Sequence, residues 1–328
     1  MTTERRKVAA ALLSVCSNTG LVLVKLGVGF KIGSVSVISE AIHSGADLLA
    51  ALIALVAVRE SNKPADEKHP FGHGKFENIS GTIEAILIFA AAGWIIYEAV
   101  DRIRYPHGGS FVASWGVLVM LLSAAVNWVV SGHLMKVGRE ADSVALEADA
   151  WHLRTDVYTS VGVMFGLGLI WLGDWLLPQL GDALHVIDPL AAIIVALLII
   201  RAAWHLTVKS ARDLMDIVLP REELDWITQM LSQFRPDVHG WHRLRTRKAG
   251  AYRFVDFHVF VDAQMTVEDS HRLAHEIGTQ IEQHFGRCSV TVHVEPCSRR
   301  CESCGRAGCL LTEEERRALR REGEEEAS

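Results

Sequence analysis

Two segments of this chain carry an imidazole and a carboxylate four residues apart: His43 and Asp47 in "VISEAIHSGADLLA", and His152 and Asp156 in "EADAWHLRTDVYTS". On a helix, residues at this spacing share a face one turn apart. If the two segments face each other, they supply two nitrogens and two oxygens, a donor set suited to tetrahedral Zn²⁺. The surroundings are apolar, and a charged side chain at the centre of a bilayer costs about 2.5–3.5 kcal/mol. Two neutral imidazoles, two carboxylates and one dication sum to zero charge, so the metal offsets that cost. Once the metal leaves, protons are the least costly replacement, which predicts exchange of metal for protons. Exchange for two protons moves no net charge, whereas exporting a bare dication against an inside-negative potential costs about 4.6 kcal/mol per 100 mV. A lone membrane His or Asp can instead serve as a hydrogen bond between helices, and the repeated spacing weighs further toward a site. Arg154 projects to the opposite face from both ligands, and Glu40, Glu84 and Asn127 either line a path or pack polar interfaces.

Such side chains need long apolar helices to hold them. Of 328 residues, 50% are hydrophobic and 22% charged, with a net charge of −6, and mean hydropathy is positive. This is more apolar than a soluble domain needs and suggests a membrane part joined to a polar part. Residues 8–24 and 111–135 contain no Asp, Glu, Lys or Arg, and each approaches or exceeds the roughly 20 residues that span a hydrocarbon core. Four less pure stretches, about 32–58, 79–100, 143–173 and 189–208, bring the expected count to six transmembrane helices. Helices are the only choice here, because backbone groups in lipid must be satisfied internally and no strand-like alternation is present.

Basic residues gather on one side of these spans. Arg5, Arg6, Lys7, Arg59, Lys63, Lys68, Lys75, Lys136, Arg139, Arg201, Lys209 and Arg212 stand against Lys31, Arg102 and Arg104. The distribution predicts an integral membrane protein with both termini in the cytoplasm, placed in the cell membrane, or the inner membrane of a prokaryote. "ERRK" before the first apolar run resembles a signal peptide, but without a small-residue cleavage site the span is expected to be retained. Cys16 follows Val15 rather than a small residue, which argues against lipid modification there.

From about residue 210 the composition turns polar. "PREELDWITQMLSQF" reads as an amphipathic helix, "WHRLRTRKAGAYRFVDFHVFVD" as two strands turning at Ala249–Gly250, "TVEDSHRLAHEIGTQIEQHF" as a second helix and "CSVTVHVEP" as a strand. The expected organisation is a transmembrane transport domain over 1–209, a cytoplasmic α+β domain of order αββαβ over 210–296, and a Cys-rich segment with a charged tail over 297–328.

Two further clusters have ligand character. In "NKPADEKHPFGHGKFENIS", Asp66, His69 and His73 either form a second, more exposed metal site around Gly72 and Gly74 or belong to an ordinary solvated loop. Cys297, Cys301, Cys304 and Cys309 give C-x₃-C-x₂-C-x₄-C, compatible with a structural or regulatory zinc site, with free thiols or with redox sensing. Cys16 and Cys288 are expected to be packing residues.

The two HxxxD segments, "DEKHPFGHGKFE" between the second and third spans, six spans and a terminal αββαβ domain together resemble the cation diffusion facilitator family over roughly residues 5–297. The resemblance implies a homodimer, Zn²⁺/H⁺ antiport and a metallochaperone-like cytoplasmic domain. It implies a transport site at His43, Asp47, His152 and Asp156, and a loop site at Asp66, His69 and His73. In the soluble domain it implies a binuclear site at His242, His258, His271 and His293 with Glu295, where some relatives carry Asp. Lys75 and Asp216 match a charge pair that links membrane and soluble parts at the dimer interface. Apart from the resemblance, His258 and His293 lie in strand-like runs and read equally as core or surface residues.

The expected activity is therefore efflux of a divalent cation, foremost Zn²⁺, by proton-coupled antiport with alternating access. Cd²⁺, Fe²⁺, Co²⁺ and Mn²⁺ are alternative substrates for the same donors. A membrane metallohydrolase is disfavoured because "HEIGT" lacks the second His of HExxH and a four-ligand protein set leaves no open position. A membrane metal sensor lacks a catalytic or DNA-binding output motif, and no nucleic-acid partner is expected.

Overall fold

The computed structural model describes residues 2–32, 35–104, 115–176, 187–297 and 308–318; within these, the side chains of Glu40, His43 and residues 32, 35–37, 39, 102, 115–119, 163–176, 187, 188 and 191 lie outside the described set. The chain divides into two compact units, Met1–Leu214 and Met215–Ser328.

Among the described residues, the first unit holds six long helices: α1 (Thr3–Ile32), α2 (Val35–Ser61), α3 (Lys75–Arg104), α4 (Trp115–Glu140), α5 (Val144–Leu176) and α6 (Ile187–Leu214). With 26 to 33 residues each, they run about 39–50 Å at 1.5 Å per residue, longer than a hydrocarbon core of about 30 Å. Among the described residues, α1, α3, α4 and α6 carry apolar windows long enough to cross a membrane. α2 and α5, which bear the paired His and Asp, pack among them. Large apolar side chains point outward, with Leu23, Phe30, Trp94, Val129 and Trp204 exposed, while alanines and polar residues fill the inside. Lipid is as apolar as leucine, so such helices associate through close packing of small residues. A Cβ on Gly162 would stand 2.8 Å from Val195 Cγ2, and one on Gly81 would stand 2.7 Å from Ser210 Oγ and 2.8 Å from Val144 Cγ1. These glycines press α5 against α6, and α3 against both.

The first span differs from the sequence reading. It runs well past Val24 on one side and before Val8 on the other, so Lys7 and Lys25 fall inside the helix, at 1% and 3% exposure. Lys7 pairs with the equally buried Glu77 of α3, which also accepts hydrogen bonds from Ser61 Oγ at 2.7 Å and from Ser143 Oγ. Cys16, expected to pack inside, is exposed on the apolar outer surface of α1.

The second unit comprises α7 (Arg221–Leu231), a 3₁₀ turn (Ser232–Phe234), β1 (Gly240–Ala249), β2 (Tyr252–Val261), α8 (Val267–Phe285) and β3 (Cys288–Pro296). The sheet order is β1-β2-β3, antiparallel between the first two strands and parallel between the last two, with α8 as the crossover. Thr266 caps α8 by accepting from Asp269 N at 3.1 Å, and Gly286 at φ +74° ends it. Both helices cover one sheet face, burying Ile227, Leu231, Ile277 and Ile281 against Val255, Phe257, Val259 and Val261. Cys288 lies in this core, and burial pushes its thiol up to about 11, as suits a packing residue.

Residues 308–311 run beside β1, with Trp241 N donating to Gly308 O and Leu310 N to His239 O, both at 2.9 Å. A Cβ on Gly308 would meet Trp241 O at 2.0 Å, so only glycine fits that contact. The helix over 313–318 is capped reciprocally by Thr312 and Glu315, and Arg235 holds Glu315 with two hydrogen bonds of 2.7 and 3.0 Å.

Candidate metal sites

Among the described residues, three groups of His and acidic side chains each bring their ligand atoms within 4.8 Å of one another: Asp47, His152 and Asp156; Asp66, His69 and His73; and His242, His258 and Glu295.

The first lies inside the helical unit, where α2 meets α5. His152 Nε2 stands 3.2 Å from Asp47 Oδ1, and both side chains are buried. His152 Nδ1 is buried without a hydrogen-bond partner. The side chain of His43, four residues before Asp47 in α2, lies outside the described residues. A cavity of about 120 Å³ adjoins the group, lined by both carboxylates together with Lys25, Ser44, Ser123 and Asn127. Glu84 and Asp149 are two further fully buried carboxyls outside the grouping, Glu84 accepting from Ser80 Oγ at 3.2 Å. Arg154, two residues from both His152 and Asp156, places its guanidinium 5.5 Å from the Trp151 ring centroid.

The second group is built by the turn between α2 and α3. Asp66 Oδ1 accepts from the backbone N–H of His69 at 2.6 Å and of Lys68 at 3.0 Å. These bonds fix the carboxylate in place, and the His69 backbone donor leads in holding its carboxyl below the ordinary aspartate range. Its two oxygens face His69 Nδ1 at 3.2 Å and His73 Nε2 at 3.3 Å. His73 Nδ1 lies 3.1 Å from Pro64 O, a bond that sets the tautomer and leaves Nε2 turned toward Asp66. Gly72 at φ +80° turns the chain between the two histidines.

The third group sits on the sheet face away from the helices. Register pairs His242 with His258 and His258 with His293, so one rung carries an imidazole on every strand. Glu295, two residues farther along β3, accepts from His258 Nδ1 at 2.7 Å and His242 Nε2 at 3.0 Å, and His293 Nε2 is 3.8 Å away. The His258 and His242 hydrogen bonds hold the Glu295 carboxyl below the usual glutamate range. His271 is on α8, exposed, with His275 as its ring neighbour at 6.4 Å, and does not join this group within one chain.

Of the remaining expected site residues, Cys297 follows β3, with its N–H donating to Val261 O at 2.8 Å, and Cys309 bridges to Gly240. Cys301 and Cys304 lie outside the described residues. Lys75 opens α3, and Asp216, at φ +55°, is 3.6 Å from Arg247 Nη1. Sequence reasoning missed Lys25 at the first group; a lone basic residue between Val24 and Leu26 was the available signal.

A bundle of long apolar helices with buried His and Asp side chains, joined to a small α+β unit, fits the class of membrane cation transporters. Residues 11–215 match the cation efflux transmembrane domain and residues 219–297 the cation efflux protein cytoplasmic domain. The chain belongs to the cation efflux family, the cation diffusion facilitators, and is a cation efflux transporter with a helical transmembrane domain and a C-terminal cytoplasmic domain. It is 35% identical over 286 residues to an uncharacterized transporter of Synechocystis sp., covering 87% of this chain and 89% of the relative. It is 28% identical over 289 residues to the cation-efflux pump FieF of Citrobacter koseri, covering 88% and 92%. Among solved structures, the metal-bound C-terminal domain of the CzcD transporter from Thermotoga maritima is 36% identical, covering 24% of this chain and 94% of that one, with a TM-score of 0.22.

Proposed function

We propose that this transporter moves a divalent cation, foremost Zn²⁺, out of the cytoplasm in exchange for protons, with both termini cytoplasmic. The reading is carried by one observation: Asp47 of α2 and His152 and Asp156 of α5 turn their ligand atoms to one point in a buried interior. His43, one turn before Asp47, is the proposed fourth donor. The donors set the substrate class, since N/O ligands at this size suit Zn²⁺ and also accept Cd²⁺, Co²⁺, Fe²⁺ and Mn²⁺. Two carboxylates cancel the cation's charge, and protons take its place when it leaves, so opening the site to one side and then the other couples the two flows.

Asp66, His69 and His73 form the proposed loop site, and His242, His258, His293 and Glu295 the proposed cytoplasmic-domain site. His271 rides on a helix that covers the opposite sheet face, so a ligand role for it requires the second copy of a homodimer. Bound metal would then favour the dimer over separate domains, which makes the cytoplasmic unit a sensor of metal supply. Lys75 and Asp216 remain a proposed interface charge pair.

The test is transport by the reconstituted protein across a panel of divalent metals under an imposed proton gradient, with Asp47→Ala and Asp156→Ala as controls. Zinc uptake that follows the gradient and disappears in both variants is expected. Parental transport rates in both variants, or indifference to the gradient, would overturn the reading.

A further inference from the structure

Taking Asp47 and Asp156 as ligands of the transported cation, as above, we propose that Lys25 is a tethered counter-ion that occupies the carboxylates when the metal has left and expels the metal by competing for them. Lys25 is the one described lysine or arginine that lines the cavity beside the site, and it is 97% buried there. Its ammonium donates to Ser44 Oγ at 2.7 Å. Ser44 precedes Asp47 by three residues on α2, a separation at which side chains are neighbours about 5–6 Å apart. The lysine stem, which rotates about four carbons, spans such a distance without moving α1.

Charge makes the placement consequential. A buried ammonium carries an insertion cost like that of the carboxylates, and the anions lining this cavity are Asp47 and Asp156. With a dication bound, those carboxylates are already neutralised, and Ser44 Oγ offers the ammonium a neutral acceptor. With the dication gone, Lys25 can neutralise one of the two carboxylates until protons replace the metal. Because the ammonium and the metal draw on the same negative charge, Lys25 lowers metal affinity and speeds release into the cavity. Ser123 Oγ and Asn127 Oδ1, buried in the wall without hydrogen-bond partners, supply polar groups for the departing ion's first waters.

The experiment measures Zn²⁺ affinity and zinc flux of the full chain in a background carrying Asp66→Ala and His258→Ala, which silences the other two groups. Lys25→Met, which keeps the length of the stem and removes the charge, is expected to bind Zn²⁺ at least about tenfold more tightly while turning over more slowly. Lys25→Arg, which keeps the charge, is expected to bind within about threefold of the parent. A lysine with only a packing role gives unchanged or weakened binding in Lys25→Met, and either result overturns the proposal. Asp47→Asn in the same background separates the two readings: retained parental binding there would mean the transport site is misassigned, whatever Lys25 does.

Discussion

Removing one member of the Lys7–Glu77 pair should unfold the helical unit far more readily than removing both. Lys7 on α1 and Glu77 on α3 are each 1% exposed, and Glu77 also accepts from Ser61 of α2 and from Ser143 just before α5. One carboxylate thus gathers four parts of the bundle. Lys7→Met leaves a buried anion with two hydroxyl donors, and Glu77→Leu leaves a buried ammonium. Breaking a buried pair from one side costs about 3–5 kcal/mol because an uncompensated charge stays behind. Lys7→Met belongs at the lower end of that range, since the serine hydroxyls still solvate Glu77, and Glu77→Leu at the upper end. The double variant carries no charge to strand and should lie within about 1–2 kcal/mol of the parent, since replacing a whole buried pair by apolar groups is often neutral. The assay is equilibrium unfolding of the full chain in mixed micelles by titration with SDS, followed by helical circular dichroism. A double variant less stable than either single would refute the reasoning, because additive losses mean the two side chains do not depend on each other.

Two further outcomes follow from other parts of the molecule. Because the Glu295 carboxyl titrates below its unfolded value, its stabilising contribution is present above about pH 4.3 and is lost as pH falls through the lower, folded value. Glu295→Gln should remove that acid-side loss of stability in pH-dependent unfolding and weaken Zn²⁺ binding at the His242–His258 group by about tenfold or more. Gly162→Leu must place a side chain where Val195 already stands 2.8 Å from the position of a Cβ, so a loss of about 1–3 kcal/mol or more is expected in the same SDS titration.

How much of this was legible in the sequence depended on distance along the chain. The HxxxD spacings and the Asp66–His69–His73 turn are local patterns, and helix period or a glycine turn suffices to bring their members together. The cytoplasmic group is non-local. His242, His258 and His293 share a rung only because of strand register and an irregularity between His242 and Arg245, which residue periodicity does not encode; family resemblance alone drew them together beforehand. Lys7 was read as a flanking charge that orients the protein, and Lys25 as the end of an apolar run. What neither reading could supply is the partner on another helix that offsets each buried basic residue, because that partner, Glu77 or Ser44, is far away in sequence. The six helices and the αββαβ order were readable because each follows from composition and periodicity within its own segment.

Gly81 and Gly162 leave no room for a methyl group between the backbones they serve and the side chains opposite. Surfaces meshed that tightly resist sliding, which favours α3, α5 and α6 moving together as one block. Asp156 travels with that block and Asp47 with α2. If Asp47 and Asp156 hold the ion as proposed, parting these two pieces opens the site and, by the same displacement, drives its two carboxylates apart.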